Sequence, residues 1–174
     1  MKQRELGRTG ISVSEMCLGT MTFGTQTSEA DSHAQMDMAL AHGVQFWDCA
    51  EMYPVNPLSR ETQGDAERIL GNWFETTGRR NEVVLATKHS GEGYMNVRDG
   101  APITAETIPT AIEGSLARLK TDVIDLYQFH WPNRGSYMFR KNWTFDPSGQ
   151  NRAETIAHME DALGALQKEV ERGT

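Results

Sequence analysis

Val123-Ile124-Asp125-Leu126-Tyr127-Gln128-Phe129-His130 is a largely apolar run that ends on an imidazole, and its form decides how the rest of the chain is read. Two earlier runs share that form. Val83-Val84-Leu85-Ala86-Thr87 leads into Lys88, and Val44-Gln45-Phe46-Trp47 leads into Asp48. Short runs rich in β-branched and aromatic residues, apolar on both faces, are the signature of strands buried in a parallel sheet. In such sheets, catalytic groups collect at the carboxyl ends of the strands. Tyr53 follows Asp48 within the next loop, so an acid, a phenol, an amine and an imidazole are expected on one side of the sheet. That combination outlines a proton-transfer site. Period-two alternation also turns Phe46, Ala86 and Gln128 to the face that carries Asp48, Lys88 and His130.

Helical patterns separate these runs. Ser28 is placed to cap a helix in which Ala30, Ala34, Met38 and Ala41 recur at helical spacing, with Gly43 at its end. Asp65 is placed to cap a second, whose face is Ala66, Ile69, Leu70, Trp73 and Phe74 and which stops at Gly78. The third starts near Thr107, because Pro109 is tolerated only in a first turn; Ile112, Leu116 and Leu119 form its stripe. The last runs from about Ala153 to Arg172, with Ile156, Met159, Leu163, Leu166 and Val170 three and four apart. Met16-Cys17-Leu18-Gly19 reads as a first core strand, and residues 3–14 as a hairpin about Gly7 to Gly10. A hairpin followed by four strand–helix units is an α/β chain, a parallel sheet covered by helices. The loop 131–150 is long enough to be functional or mobile.

The 174 residues suffice for one domain with a core, and 38% hydrophobic with 24% charged residues is a globular composition. A net charge of -7, from 17 basic and 24 acidic side chains with no basic run, argues against a nucleic-acid partner. No stretch approaches the ~20 apolar residues of a membrane span, and no apolar leader follows Met1 to Gly10. A cytoplasmic location is expected. Cys17 and Cys49 lack a CxxC or zinc-finger spacing and are expected to be buried, reduced thiols. A hydrolase with His33, His42, His89 and His130 as metal ligands is a weak rival, since no HxH or HExxH occurs.

Several segments resemble the aldo-keto reductase superfamily, NADPH-dependent carbonyl reductases on a (β/α)8 TIM barrel. They are Arg4-Glu5-Leu6-Gly7-Arg8-Thr9-Gly10, Leu18-Gly19-Thr20-Met21-Thr22-Phe23-Gly24, Asp48-Cys49-Ala50-Glu51-Met52-Tyr53, and Asp122 to Pro132. Ala50-Glu51-Met52-Tyr53-Pro54 and Glu61-Thr62-Gln63-Gly64 are most similar to the bacterial Tas-type branch. The resemblance implies reduction of aldehydes or ketones to alcohols with NADP(H) as cofactor and a small-molecule carbonyl as substrate. It implies catalytic roles for Asp48, Tyr53, Lys88 and His130, a nicotinamide beside Gly19, Thr20, Met21 and Asp48, and a substrate pocket of Tyr53, His130 and Trp131. Tyr137, Phe139, Trp143 and Phe145 either line that pocket or pack on their own barrel, and Arg134, Arg140 and Lys141 read as a solvated basic edge.

Tyr53 is the proton donor by this resemblance. A free phenol has a pKa of about 10, and a nearby ammonium, Lys88, is expected to lower it while Asp48 keeps Lys88 charged. Neutral His130 would donate a ring N–H to the substrate oxygen. Family members run to about twice this length, and even a lean barrel needs about 200 residues. Residues 1–174 are therefore expected to be the amino-terminal half, strands one to four with their helices. Such a half is expected to have little activity alone, and to self-associate through its open sheet edges or be partly molten. A nicotinamide-binding regulatory or sensor subunit with little turnover is the alternative from another class.

Overall fold

In the computed structural model the described residues are 1–135, 137 and 141–174. Strands β1 (Gln3–Glu5) and β2 (Ser12–Ser14) form the expected antiparallel hairpin. Four strand–helix units follow: β3 (Cys17–Gly19) and α1 (Glu29–Ala41), β4 (Phe46–Asp48) and α2 (Asp65–Thr77), β5 (Val84–His89) and α3 (Thr107–Leu119), β6 (Leu126–Phe129) and α4 (Arg152–Arg172). The sheet is parallel in the order β3-β4-β5-β6. The hairpin is stitched beneath it, where the Ser14 hydroxyl accepts from the backbone N–H groups of Gln45 and Phe46. Among the described residues no helix is long and apolar enough to cross a membrane.

Register positions the site. Gly19 pairs with Asp48, Asp48 with Ala86, and Lys88 with Gln128. Partners in a parallel ladder share a face, so these residues, with Cys17 and Phe46 in the row below, form one surface of the sheet. The other surface carries Leu18, Trp47, Leu85 and Thr87 and is roofed by helices. Trp47 and Leu85 are wholly buried there, and Trp47 meets Trp73 and Phe74 of α2 at ring separations of 5.1 and 6.0 Å. All five residues expected on the α2 face are buried.

Between α2 and α3 the chains come into backbone contact. A Cβ on Gly71 would lie 2.2 Å from the Arg118 carbonyl oxygen, so only glycine allows this approach. Beside it the fully buried Glu67 carboxylate accepts from Thr87 Oγ1 at 2.6 Å and Arg118 Nε at 2.7 Å. Both oxygens are satisfied, as a buried charge requires.

Four expectations are corrected. In α1 the buried residues are Ser32 and Met36, while Ala30, Ala34, Met38 and Ala41 face solvent. The Ser32 hydroxyl is satisfied by the Ser28 carbonyl at 2.7 Å, which lets the polar position face inward and gives Met36 the core. In α2 the N-cap is Gly64, with φ of 83°, and Asp65 is the first helical residue, paired with Arg68. In α4 the small Ala162 and Ala165 are the buried contacts, and Ile156, Met159, Leu163 and Val170 are exposed. The helix packs through its alanines onto α3, which leaves the longer apolar stripe turned outward. Cys49 is buried as expected, but Cys17 is exposed because it lies on the open sheet face. The start of α3 at Thr107 agrees with the placing of Pro109.

Gly71→Ala tests the α2–α3 approach. Alanine is the better helix former by about 1 kcal/mol, so packing alone must decide the sign. We expect a net loss of about 2 kcal/mol from overpacking, read as a lower urea midpoint. A midpoint equal to or above the parent's would show that the two helices can separate freely.

Candidate active site

Lys88 closes β5, and its ammonium has three protons to place. It donates to Asp48 Oδ2 at 2.6 Å and to the Cys49 carbonyl at 2.6 Å, and it meets the Tyr53 hydroxyl at 3.5 Å. The same nitrogen lies 4.8 Å from the centroid of the Tyr53 ring, in reach of a cation–π attraction. The second Asp48 oxygen accepts from Gln128 Nε2 at 3.2 Å, which fulfils the alternation expected of β6. Two adjacent strands and the loop after β4 are thus joined at one cation.

The loop that presents Tyr53 is held by its backbone. Cys49 N–H donates to the Ala86 carbonyl at 2.8 Å and Glu51 N–H to the Lys88 carbonyl at 3.3 Å. The Tyr53 carbonyl accepts from Gly64 N–H at 3.0 Å, at the entry to α2. The Tyr53 side chain is 8% exposed. Burial raises its pKa above the ordinary value; Lys88 pulls the other way and Asp48 adds to the rise. The net direction corrects the expectation of a lowered phenol. Lys88 does act to lower it, but that charge is shared with Asp48, and desolvation outweighs it.

His130 follows β6 directly, its backbone N–H donating to the His89 carbonyl at 2.9 Å. Its ring stands edge-on to Tyr53 with centroids 5.6 Å apart and rests 5.2 Å from Trp131. Burial first, then the Lys88 charge, push its pKa down to about 4, so the imidazole is neutral near pH 7. Its Nδ1 is buried without a hydrogen-bond partner. The structure therefore brings together all four residues singled out at the strand ends.

The neighbouring positions divide. Trp131 is 6% exposed, donates to the Glu92 carbonyl at 3.1 Å and fills the space over Gly91, where a Cβ would meet its ring at 2.4 Å. Thr20 is buried, and both its N–H and its hydroxyl donate to the Asp48 carbonyl, at 3.1 and 3.0 Å. It fixes the end of β4. Gly19 and Met21 are exposed. A Cβ on Gly19 would meet nothing within 4 Å, so a side-chain-free surface lies beside Asp48 where a flat ring could rest. Tyr137 and Trp143 stand in solvent, 65% and 91% exposed, and Phe145 is half-buried. Phe139 and Arg140 lie outside the described residues.

Sequence reasoning passed over a buried group beside the four. Glu51 is 2% exposed, and its carboxylate is paired with Arg98. Its place between Asp48 and Tyr53 was the available signal. The histidines of the metal rival are dispersed: His33 bonds to the Ile69 carbonyl and His42 to that of Met38. Among the described residues no group of three or more His, Cys, Asp or Glu could hold a metal ion.

Comparison with known proteins places this geometry. The pattern of the Aldo/keto reductase family matches residues 15–174. Protein tas of Escherichia coli is 41% identical over 97% of this chain and 49% of its own length. Norsolorinic acid reductase stcV of Emericella nidulans is 31% identical over 86% of this chain and 37% of its own. The holo form of an aldo-keto reductase from Bacillus halodurans superposes with a TM-score of 0.70 at 28% identity, covering 99% of this chain and 47% of that one. The chain spans about half the length of the curated relatives it matches. Its four strands and helices are accordingly the amino-terminal half of a (β/α)8 barrel.

The His130 shift carries a sign. The folded value near 4 lies below the ordinary 6.5, so between them the unfolded chain binds a proton that the folded chain refuses. The folded state should therefore lose stability as pH falls from about 6.5 to about 4, with no further loss from this group below that. His130→Gln should remove that part of the acid slope in urea titrations, and the parent imidazole should titrate near 4 by NMR. An imidazole titrating at the ordinary value would contradict this environment.

Proposed function

The chain belongs to the aldo/keto reductase family, and on that premise we propose that it carries the acid–base machinery of an NADP(H)-dependent reductase that converts aldehydes or ketones to alcohols. The observation that carries this reading is the Asp48–Lys88–Tyr53 chain of contacts, with His130 edge-on to the phenol. A bound reduced nicotinamide would supply the hydride. The open surface at Gly19, with Met21 and Asp48 beside it, is compatible with such a ring, and Thr20 would act through the strand end it fixes.

Each residue then has a task. Hydride addition leaves negative charge on the carbonyl oxygen, which needs a donor in place. Tyr53, kept protonated by burial, gives its hydroxyl proton to that oxygen. Lys88 stabilises the phenolate left behind, and Asp48 holds the ammonium in position with Gln128 at its other oxygen. His130 is neutral, and with Nδ1 buried its Nε2 is the nitrogen left to donate to the substrate oxygen. Trp131 backs His130 and closes one wall of the substrate pocket.

We assign residues 1–174 to one partial barrel unit and place it in the cytoplasm, which the free thiols of Cys17 and Cys49 suit. Burial and Asp48 push the Cys17 thiol up to about 11, so it stays protonated although it faces the open sheet surface. The substrate is a small carbonyl compound, with neither nucleic acid nor membrane as partner. By itself the 174-residue chain leaves β3 and β6 as sheet edges. It should associate through them and show no measurable steady-state NADPH oxidation. One observation favours the sensor alternative: a raised phenol is a weaker acid than efficient turnover demands.

A complete barrel decides, made by joining this chain to the second half of Protein tas. It should oxidise NADPH with a panel of aldehydes, and Tyr53→Phe should slow it by about 10²- to 10⁴-fold. Cofactor binding without turnover would favour the sensor, and a Tyr53→Phe barrel as fast as its parent would remove Tyr53 as donor.

A further inference from the structure

Glu51 and Arg98 are distant in sequence, yet their side chains pair across the two loops, and Glu51 also reaches the backbone of the loop that carries Arg98. The Glu51 carboxylate accepts from the Ser90 N–H as well as from Arg98. Its own N–H and carbonyl are tied to the Lys88 carbonyl and to Gln63 Nε2. The second Arg98 amino group lies 3.2 Å from the Ser90 carbonyl and 3.0 Å from His89 Nδ1. His89 is wholly buried, and burial followed by the Arg98 charge lowers its pKa, so it stays neutral and adds no competing charge.

A second strap runs the opposite way. Arg60, from the loop that follows Tyr53, donates to the Met95 carbonyl at 2.7 Å and to Asp99 Oδ1 at 2.6 Å. Each loop thus gives one arginine and one acid to the other. The backbone between the straps is strained: Arg98 and Asp99 have φ of 46° and 53°, a region that non-glycine residues seldom occupy. Such strain persists only where the surroundings over-determine it. The clamped loop also carries Tyr94, whose ring meets Trp131 edge-on at 6.3 Å, and Trp131 rests on His130.

We infer that the Glu51–Arg98 pair is a positioning clamp that locks the loop after β4 to the loop after β5, holding the Tyr53 hydroxyl at Lys88 and the Tyr94–Trp131 wall at His130. Neither residue touches the proposed reacting atoms. Both act through Tyr53 and Trp131, so the catalytic significance of the clamp rests on the proton-donor reading above. A buried ion pair is in general no more stabilising than apolar packing of the same volume. What this pair adds is geometry, since the two amino groups of one guanidinium meet the Glu51 carboxylate on one side and the Ser90 carbonyl and His89 imidazole on the other.

The test uses the full chain with ¹³Cζ-labelled tyrosine and amide hydrogen exchange. In Arg98→Met the Tyr53 titration midpoint should fall from its raised position toward the ordinary 10.0 as the phenol gains water. The Glu51 and Ser90 amides should exchange roughly tenfold faster while amides of α2 and α3 keep their protection. Arg98→Lys, which keeps the charge without the fork, should recover part of both effects. If Arg98→Met fails to fold, Glu51→Gln, which keeps shape and an acceptor, is read by the same two signals. A folded variant whose Tyr53 midpoint and loop exchange equal the parent's overturns the clamp. Neither signal depends on turnover, so an active Tyr53→Phe barrel would remove the donor role and leave the clamp standing.

Discussion

The ammonium of Lys88 is the point on which the upper side of the sheet depends. It is 12% exposed and has accepted a carboxylate, a main-chain carbonyl and a phenol as its surroundings in place of water. A partly buried cation is tolerable only when its protons have acceptors, so the positions of Asp48, Cys49 and Tyr53 are coupled to one another through it. Parallel register supplies the rest. Because β4 and β5 pair Asp48 with Ala86, Lys88 stands one row above the acid and can reach back over it. Gln128 of β6 comes to the same place from the other side.

The opposite surface of the sheet is built from different forces. There Trp47, Leu85, Leu70 and Trp73 are excluded from water, and burial of apolar area holds α2 and α3 against the strands. Glu67 is the exception, a carboxylate beneath the sheet that is tolerated because Thr87 and Arg118 take both its oxygens. One surface of the sheet is thus a conventional core, and the other is a half-exposed platform that displays ionisable groups. The division explains why Cys17, which opens β3, is exposed while Cys49, which follows β4, is buried.

Much of this was legible in the chain itself, for identifiable reasons. Asp48, Lys88 and His130 each end an apolar run, and the end of a parallel strand is a fixed place in space, so three distant residues could be brought together without coordinates. Helix α2 was readable because its face consists of large apolar side chains that have no alternative location. Helix α1 misled because alanines at helical spacing bury little area, and a serine with a satisfied hydroxyl could take the inward side. In α4 the close approach of two alanines outranked a longer stripe of larger residues. The clamp was invisible for another reason: Arg98 lies in a glycine-rich loop whose path periodicity does not constrain. The direction of the Tyr53 shift needed the degree of burial, which spacing does not report.

The exposure of Trp143 has a practical side. The chain has four tryptophans. Trp47, Trp73 and Trp131 are shielded at 0%, 1% and 6% exposure, whereas Trp143 is 91% exposed. Indole emission from this protein therefore separates into a water-bathed component open to collisional quenchers and a sheltered component. With Trp143 silenced by acrylamide, what remains comes from two indoles in the helix-covered core and one, Trp131, packed beside the His130 imidazole. Fluorescence without any added dye could then follow events at that imidazole.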